Sequence, residues 1–378
     1  MESKTNSTTS LTVLSRLLLG SEGSDTSHAV RKSAADIACA VSRYSPQDLS
    51  DLWHLANSHH VIVRTFPGLH RILMAAQHDG ADCVSQSLMK ERARIQHALS
   101  FLFPICEALK EVGDVVVIKS LDHWPDLGND LDLYSNAEGH EVVTVMKERF
   151  KARLEARSWG DRLANKWNFI VPGLPELVEV HVSRLGQTGE QVAVTNSLVA
   201  RSRTIELGGH DFRVPASEDR LILSTLQRMY RHFYLRLCDV ADTARLVDTN
   251  SIDFAYLKSL AEAAGLWDGL ATYLVTVSGY VQAYRGEGLD LPAPVRDAAQ
   301  FGNELVRFKR KFLRIPIFPQ AAKLYAAEWK QLLLNGELQN TLRLSLLPGL
   351  AAAAFEAVPR VTRSVSGTWV DTGIPGFR

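Results

Sequence analysis

The chain has 378 residues, 22% charged and 46% hydrophobic, with 24 glycines and 14 prolines. That balance excludes a collagen-like, wholly disordered or disulfide-stapled chain, and at roughly 150 residues per domain the length suggests two or three domains with real cores. Lys+Arg and Asp+Glu both number 42, so no global basic field marks a nucleic-acid binder and no DNA partner is expected. Cys39, Cys83, Cys106 and Cys238 form no C-x-x-C pair; Cys106 and Cys238 sit in apolar helical patterns and read as small buried residues of a reducing compartment. Met1 to Ser10 lacks a basic segment followed by an apolar core. The longest apolar stretch, Leu344 to Val358, carries Pro348 and Glu356 and falls short of the roughly 20 apolar residues of a membrane span. A cytoplasmic protein with no membrane partner is expected.

In chain order, residues 1–27 are rich in Ser, Thr, Gly and Glu and read as a flexible N-terminal arm. Residues 28–111 read as helical, with the clearest stripe at Ile95, Leu99, Leu102, Phe103, Cys106 and Leu109. The pattern then changes. Asp114 to Lys119 is a β-branched run, Leu131 to Tyr134 alternates with Asp130 and Asp132, and Glu141 to Arg157 reads as a helix. Trp167 to Val171 and Leu177 to Ser183 are strand-like, and Ile205 to Val214 is a hairpin around Gly208-Gly209. From Pro215 the chain returns to helix. Ser217, Glu218 and Asp219 open a stripe sustained to Asp248, and further helices are expected at Phe254 to Ala264, Leu270 to Arg285, Pro292 to Lys311 and Ala321 to Leu334. The expected fold is α+β and mainly helical. A small mixed β-sheet core over 112–215 is flanked by helical regions at 28–111 and 216–360, with a flexible tail at 361–378.

The chemistry lies in Lys119-Ser-Leu-Asp-His-Trp-Pro-Asp-Leu-Gly-Asn-Asp130-Leu-Asp132-Leu133. Alternation along a strand puts Asp130 and Asp132 on one face, about 7 Å apart, with Leu131 and Leu133 on the other. Carboxylates brought within ~4 Å cost on the order of 4 kcal/mol at an effective dielectric of 20, and a divalent cation removes that cost. Mg²⁺ takes hard oxygen ligands, typically one or two carboxylates plus substrate phosphates. A third acid stands in Glu179-Val-His181-Val-Ser183, where Val178, Val180 and Val182 alternate with Glu179 and His181. Strands placed side by side would gather three acids about a metal pair.

These residues resemble the nucleotidyltransferase superfamily of the DNA polymerase β type: an apolar strand, a small-residue turn, nine to thirteen residues, an Asp-x-Asp pair and a later acid. They are most similar to the bacterial group of uncharacterised nucleotidyltransferases. That group has a Lys-Gly turn, Asp-x-Asp-Leu, an acid-x-His segment and a helix rich in Leu, His and Arg ending near an Asp. The counterparts here are Lys119-Ser120, Asp130 to Leu133, Glu179-Val-His181, and Glu218 through Arg231-His232, Arg236 and Asp242, within a likeness spanning about residues 45–250. The resemblance implies transfer of NMP from an NTP to an acceptor hydroxyl of a small molecule, peptide, protein or RNA end, with two Mg²⁺ ions. It implies that Asp130, Asp132 and Glu179 are catalytic and hold metal, that Glu179 helps deprotonate the acceptor, and that Lys119, Ser120, Asn129, His181 and Arg236 contact the nucleotide. Lys119-Ser120 departs from the glycine of this turn. If the turn needs φ > 0, that departure costs about 1 kcal/mol or more and leaves open a catalytically inactive relative that binds or regulates.

Weaker signals surround this set. Arg231, His232 and Arg236 share overlapping helix faces near Asp239 and Asp242, as a phosphate contact or a salt-bridged surface. His59-His60 has no acidic or cysteine partner nearby in sequence and reads as surface or core. His210-Asp211 reads as a turn, and the basic run Arg307 to Arg314 as a solvated helix end or, alternatively, a contact for RNA or phosphate.

Overall fold

Short runs of alternating apolar residues build the central sheet: Val115–Val117 (β1), Asp130–Ser135 (β2), Arg153–Leu154 (β3), Lys166–Ile170 (β4) and Leu177–Val182 (β5). In this computed structural model, which describes residues 2–20, 36–346 and 348, they pair in the order β1-β2-β5-β4-β3. β2 runs parallel to β5, and the other pairings are antiparallel. Leu131, Leu133, Val178 and Val180 are fully buried on one face, against Val142 and Met146 of the helix Gly139–Phe150 and Leu102, Ile105 and Leu109 of the long helix Ala81–Leu109. On the other face Val116, Ile118 and Tyr134 join a second core shared with the N-terminal and C-terminal helices. The fold is therefore α+β with a small mixed sheet between helical regions, as expected.

The N-terminal region holds the helices Glu2–Leu19, Pro46–Ser58, Ile62–Ala75 and Ala81–Leu109; the C-terminal region holds Ser217–Thr225, Leu237–Asp248, Phe254–Ala263, Trp267–Arg285 and Ala322–Leu334 among others. The expected hairpin is present as Arg203–Leu207 (β6) and His210–Val214 (β7), turning through Gly208 (φ 61°) and Gly209 (φ 79°), a conformation that glycine adopts without strain. Among the described residues no helix is long and apolar enough to cross a membrane.

Several elements differ from expectation. Residues 2–19 are a helix rather than a loose arm: Leu11, Leu14 and Leu19 are buried in the helical core, and Ser15 Oγ lies 2.7 Å from Tyr280 Oη. A leucine stripe that finds a core outweighs a Ser/Thr-rich start. Residues 21–27 of the expected arm, and the tail at 361–378, lie outside the described residues. The helix expected to reach Arg157 stops at Phe150, where Lys151 turns left-handed (φ 52°) and the chain enters β3. The stripe from Leu221 to Asp248 is broken: Ser217–Thr225 widens into a π-turn at Leu226–His232, Phe233 takes φ 55°, and Tyr234–Leu235 (β8) precedes a new helix at Leu237. The expected helix from Pro292 to Lys311 is limited to Ala293–Ala298. The basic run that follows is a hairpin, Arg307–Lys309 (β9) and Phe312–Arg314 (β10), whose tip residues Arg310 and Lys311 have φ of 50° and 68°.

The helix Ser217–Thr225 begins with a buried acid. Asp219 is fully buried and accepts a hydrogen bond of 2.6 Å from Ser197 Oγ. Burial pushes its carboxyl up to about 6, against smaller opposing effects of Ser197 and Arg201. A carboxyl raised on folding favours the native state below its unfolded value, and that contribution is lost as pH rises through about 6. Asp219→Asn should therefore gain on wild type by roughly 1–2 kcal/mol between pH 5 and pH 8 in urea unfolding, whereas parallel curves would exonerate Asp219.

Candidate active site

The turn that leaves β1 is built on an uncommon backbone. Ser120 N donates to Ile118 O at 2.5 Å, closing a γ-turn about Lys119, which has φ 59° and ψ −54°. This is the strained, positive-φ form of that turn, and Lys119 holds it without the freedom of glycine. Ser120, buried, locks the turn onto the next strand: its Oγ donates to Asp130 O (3.1 Å) and accepts from Asp132 N (2.7 Å). Arg94 of the long helix fixes the approach to both acidic strands. It donates to Leu127 O (3.0 Å) and Gly128 O (3.2 Å) before β2, and to Glu176 Oε1 (2.6 Å) before β5.

The parallel register then does what the alternation predicts. Asp132 is the partner of Glu179, and Tyr134 of His181. Carboxylate oxygens of Asp132 and Glu179 and a ring nitrogen of His181 lie within 4.8 Å of one another. Asp130 stands two residues up the same face of β2, at its exposed end. The three acids named from the sequence are thus brought to one place. Leu131, Leu133, Val178 and Val180 hold them there by filling the opposite face.

Two lysines answer the clustered charge. Lys119 Nζ bonds Asp132 Oδ1 and lies 3.6 Å from Glu179 Oε1. Lys166, at the start of β4, places Nζ 2.9 Å from Glu179 Oε2 and 3.1 Å from Asp161 Oδ1. His181 Nε2 adds a contact of 2.9 Å to Glu179 Oε1. Burial would raise the Glu179 carboxyl, but Lys119, Lys166 and His181 overcome it and hold the group well below the usual carboxylate range. Asp130 moves the other way. Loss of water around it, then the charges of Asp132 and Glu179, push it up to about 6 despite Lys119 and Lys166. One strand pair thus holds a firmly ionised acid beside one that titrates near neutrality.

The remaining predicted residues divide. Asn129 is exposed beside Asp130. Arg236 is turned elsewhere: its guanidinium lies over Tyr234 and Phe312, 5.6 Å and 5.8 Å from the ring centroids, and its contacts do not include the acids. Arg231 is the arginine of this segment that stands on the side of the acids. With Lys119, His181, Gln187 and Gln227 it lines a small cavity of about 40 Å³, and it makes no ion pair or hydrogen bond among the described residues. The π-turn sets Arg231 and Gln227 on this side, a displacement that no helical periodicity foretells. Lys166 and Gln187 escape sequence reasoning because only the strand pairing and a loop bring them near. A larger cavity of about 640 Å³ lies between Trp124, Pro125, Arg64, Arg245 and Arg285, and none of the three acids lines it.

No curated protein and no solved structure matches the chain. Residues 129–280 match the sequence model of a family described as uncharacterised nucleotidyltransferase. The match opens one residue before Asp130, spans β2, β5 and the π-turn, and ends in the helix Trp267–Arg285, leaving Lys119 and Ser120 outside. It supports a nucleotidyltransferase family, and with it a general role in NMP transfer, for this part of the chain.

Proposed function

We propose that the protein is a Mg²⁺-dependent nucleotidyltransferase of the cytoplasm that moves NMP from an NTP to the hydroxyl of a small molecule, peptide, protein or RNA end. The observation that carries this reading is the register pairing of Asp132 with Glu179, with Asp130 on the same face. The donor set suits Mg²⁺: hard carboxylate oxygens from Asp130, Asp132 and Glu179, two of them within 4.8 Å across adjacent strands. Bound Mg²⁺ would neutralise the triphosphate and the charge that develops on the leaving pyrophosphate.

The chain's own residues do the rest. Lys119 and Arg231, which line the small cavity, would offer counter-charge to the phosphate tail, and Asn129, exposed beside Asp130, would be a further nucleotide contact. Ser120 contributes by holding the Asp130–Asp132 backbone and the turn amide in place. The acceptor oxygen bonds to the α-phosphorus as the bridge to the β-phosphate breaks. Glu179, held firmly ionised by Lys119, Lys166 and His181, would serve with Asp130 and Asp132 as a metal ligand and help to take the acceptor hydroxyl's proton. Positioning and charge stabilisation supply most of the acceleration.

One observation favours a second reading, a catalytically inactive relative that keeps the fold as a binding or regulatory protein: Lys119 and Lys166 already satisfy Asp132 and Glu179. Isothermal titration separates the two. Under the first reading wild type binds Mg-ATP or Mg-GTP, and Asp130→Asn/Asp132→Asn weakens binding tenfold or more, about 1.4 kcal/mol. Equal binding by the double variant, or none by wild type, overturns it.

Lys119→Met sharpens the distinction. If Lys119 is a phosphate contact, the variant loses nucleotide affinity and added Mg²⁺ restores its thermal stability. If Lys119 is a permanent partner of the acids, the variant is destabilised by about 1–3 kcal/mol and Mg²⁺ leaves that loss in place.

A further inference from the structure

A second cluster of ligand-type side chains lies behind the Lys119-Ser120 turn. The short 3₁₀ segment Ser120–His123 ends on a histidine, and the helix Leu237–Asp248 opens with Cys238 and Asp239. His123 Nε2 lies 3.7 Å from Cys238 Sγ, and Cys238 Sγ lies 3.9 Å from Asp239 Oδ1. All three donor atoms fall within 4.8 Å of one another, and all three residues are buried. Tetrahedral zinc with bonds of about 2.3 Å to sulfur and about 2.0 Å to nitrogen or oxygen sets its ligand atoms roughly 3.3–3.6 Å apart. The trio is a few tenths of an ångström from that spacing along its two measured edges.

The surroundings are those of a supported site. Asp242 Oδ2 lies 2.5 Å from His123 Nδ1, so that with the proton on Nδ1 the Nε2 lone pair faces the sulfur. Arg64 Nη1 steadies Asp242 at 2.8 Å, and Arg228 Nε holds Asp239 Oδ2 at 2.7 Å, leaving Oδ1 toward the thiol. A carboxylate behind a ligating histidine is the recurring outer partner of metal sites. The cluster is ionic throughout: Asp126 and Asp242 pair with Arg64, Asp239 pairs with Arg228, and Arg245 Nη2 lies 3.9 Å from Asp242 Oδ1.

We propose that His123, Cys238 and Asp239 form a buried site for one Zn²⁺ ion, with Asp242 orienting His123. The site shares no ligand with the three acids and does not rest on the nucleotidyltransferase reading. Its ion would clamp the turn that follows β1 to the C-terminal helices, a structural role in which the metal enters as the chain folds.

Cobalt substitution tests this on the full chain after chelator treatment. Wild type should hold one Co²⁺ in a site with tetrahedral d–d bands and a thiolate charge-transfer band, apart from any Co²⁺ on the acids of the sheet, and Zn²⁺ should displace it and raise Tm. Cys238→Ser should lose the charge-transfer band and bind Zn²⁺ at least tenfold more weakly. Asp242→Asn should lose roughly tenfold to a hundredfold in affinity. Asp132→Asn/Glu179→Gln should keep the wild-type spectrum, which separates this site from the acids of the sheet. Wild type without the thiolate band, a band that survives in Cys238→Ser, or its loss in the Asp132/Glu179 variant would each overturn the proposal. The wild-type spectrum decides even if Cys238→Ser fails to fold.

Discussion

The parallel register of β2 and β5 sets Asp132 opposite Glu179, and most of what surrounds them answers the charge this creates. Two carboxylates at ~4 Å repel by on the order of 4 kcal/mol at an effective dielectric of 20, a large fraction of a domain's net stability. The register itself is not free to change. A slip of one residue would send Leu131, Leu133, Val178 and Val180 to the polar face and the acids into the core. The hydrophobic face therefore enforces the acidic one, and cations must meet the acids where the pleat puts them. Lys119 comes from the turn after β1 and Lys166 from the start of β4, one from each side of the pair.

The acidic set was readable because it depends on period two alone. Asp130, Asp132, Glu179 and His181 alternate with fully buried leucines and valines, and that pattern states which side chains share a face. Neighbouring of the two strands needed one further step: the chain leaves β2 through Gly139–Phe150, passes β3 and β4, and turns back from β4 to lay β5 between β4 and β2. Lys166 was not readable, since its role comes from antiparallel pairing of β4 with β5, fixed by turns rather than by its own surroundings in sequence. The helical half was legible in kind and not in detail. Leu221 to Asp248 keeps one apolar stripe because every segment faces the same core, so the π-turn, Phe233 and β8 leave no mark on hydrophobicity. That break is what carries Arg231 to the cleft and leaves Arg236 over the Tyr234 and Phe312 rings. His59 and His60 read as isolated for a similar reason: their neighbours Leu237, Cys238 and His123 come from remote parts of the chain.

The sheet and the helical half meet through the loop between β1 and β2. Asp122 pairs with Arg220 Nε at 2.8 Å, and His123 with Asp242 at 2.5 Å. Asp126 accepts from Val63 N at 2.6 Å and Arg64 Nε at 2.9 Å, while Arg64 reaches on to Asp242. These pairs are largely buried, and breaking one of them strands a charge at a cost of several kcal/mol. The loop is thus held from the N-terminal helices by Val63 and Arg64 and from the C-terminal helices by Arg220 and Asp242. Residues about 120 positions apart in sequence fix one short segment, which explains why the acidic motif and the distant helix behave as one unit.

That tethering bears on the missing glycine. A positive-φ residue other than glycine costs of order 1–3 kcal/mol and persists where its neighbours over-determine it. Here Ser120 is bonded to two backbone groups of β2, and anchored residues follow at 122, 123 and 126. The turn does not require glycine to reach its shape, because its ends are already held in that shape. A lysine at the strained position then gains what glycine lacks, an ammonium delivered onto Asp132 and Glu179 by a backbone that cannot relax away from them. The strain at Lys119 and the repulsion between the acids are coupled in this way: the second supplies part of the free energy that sustains the first.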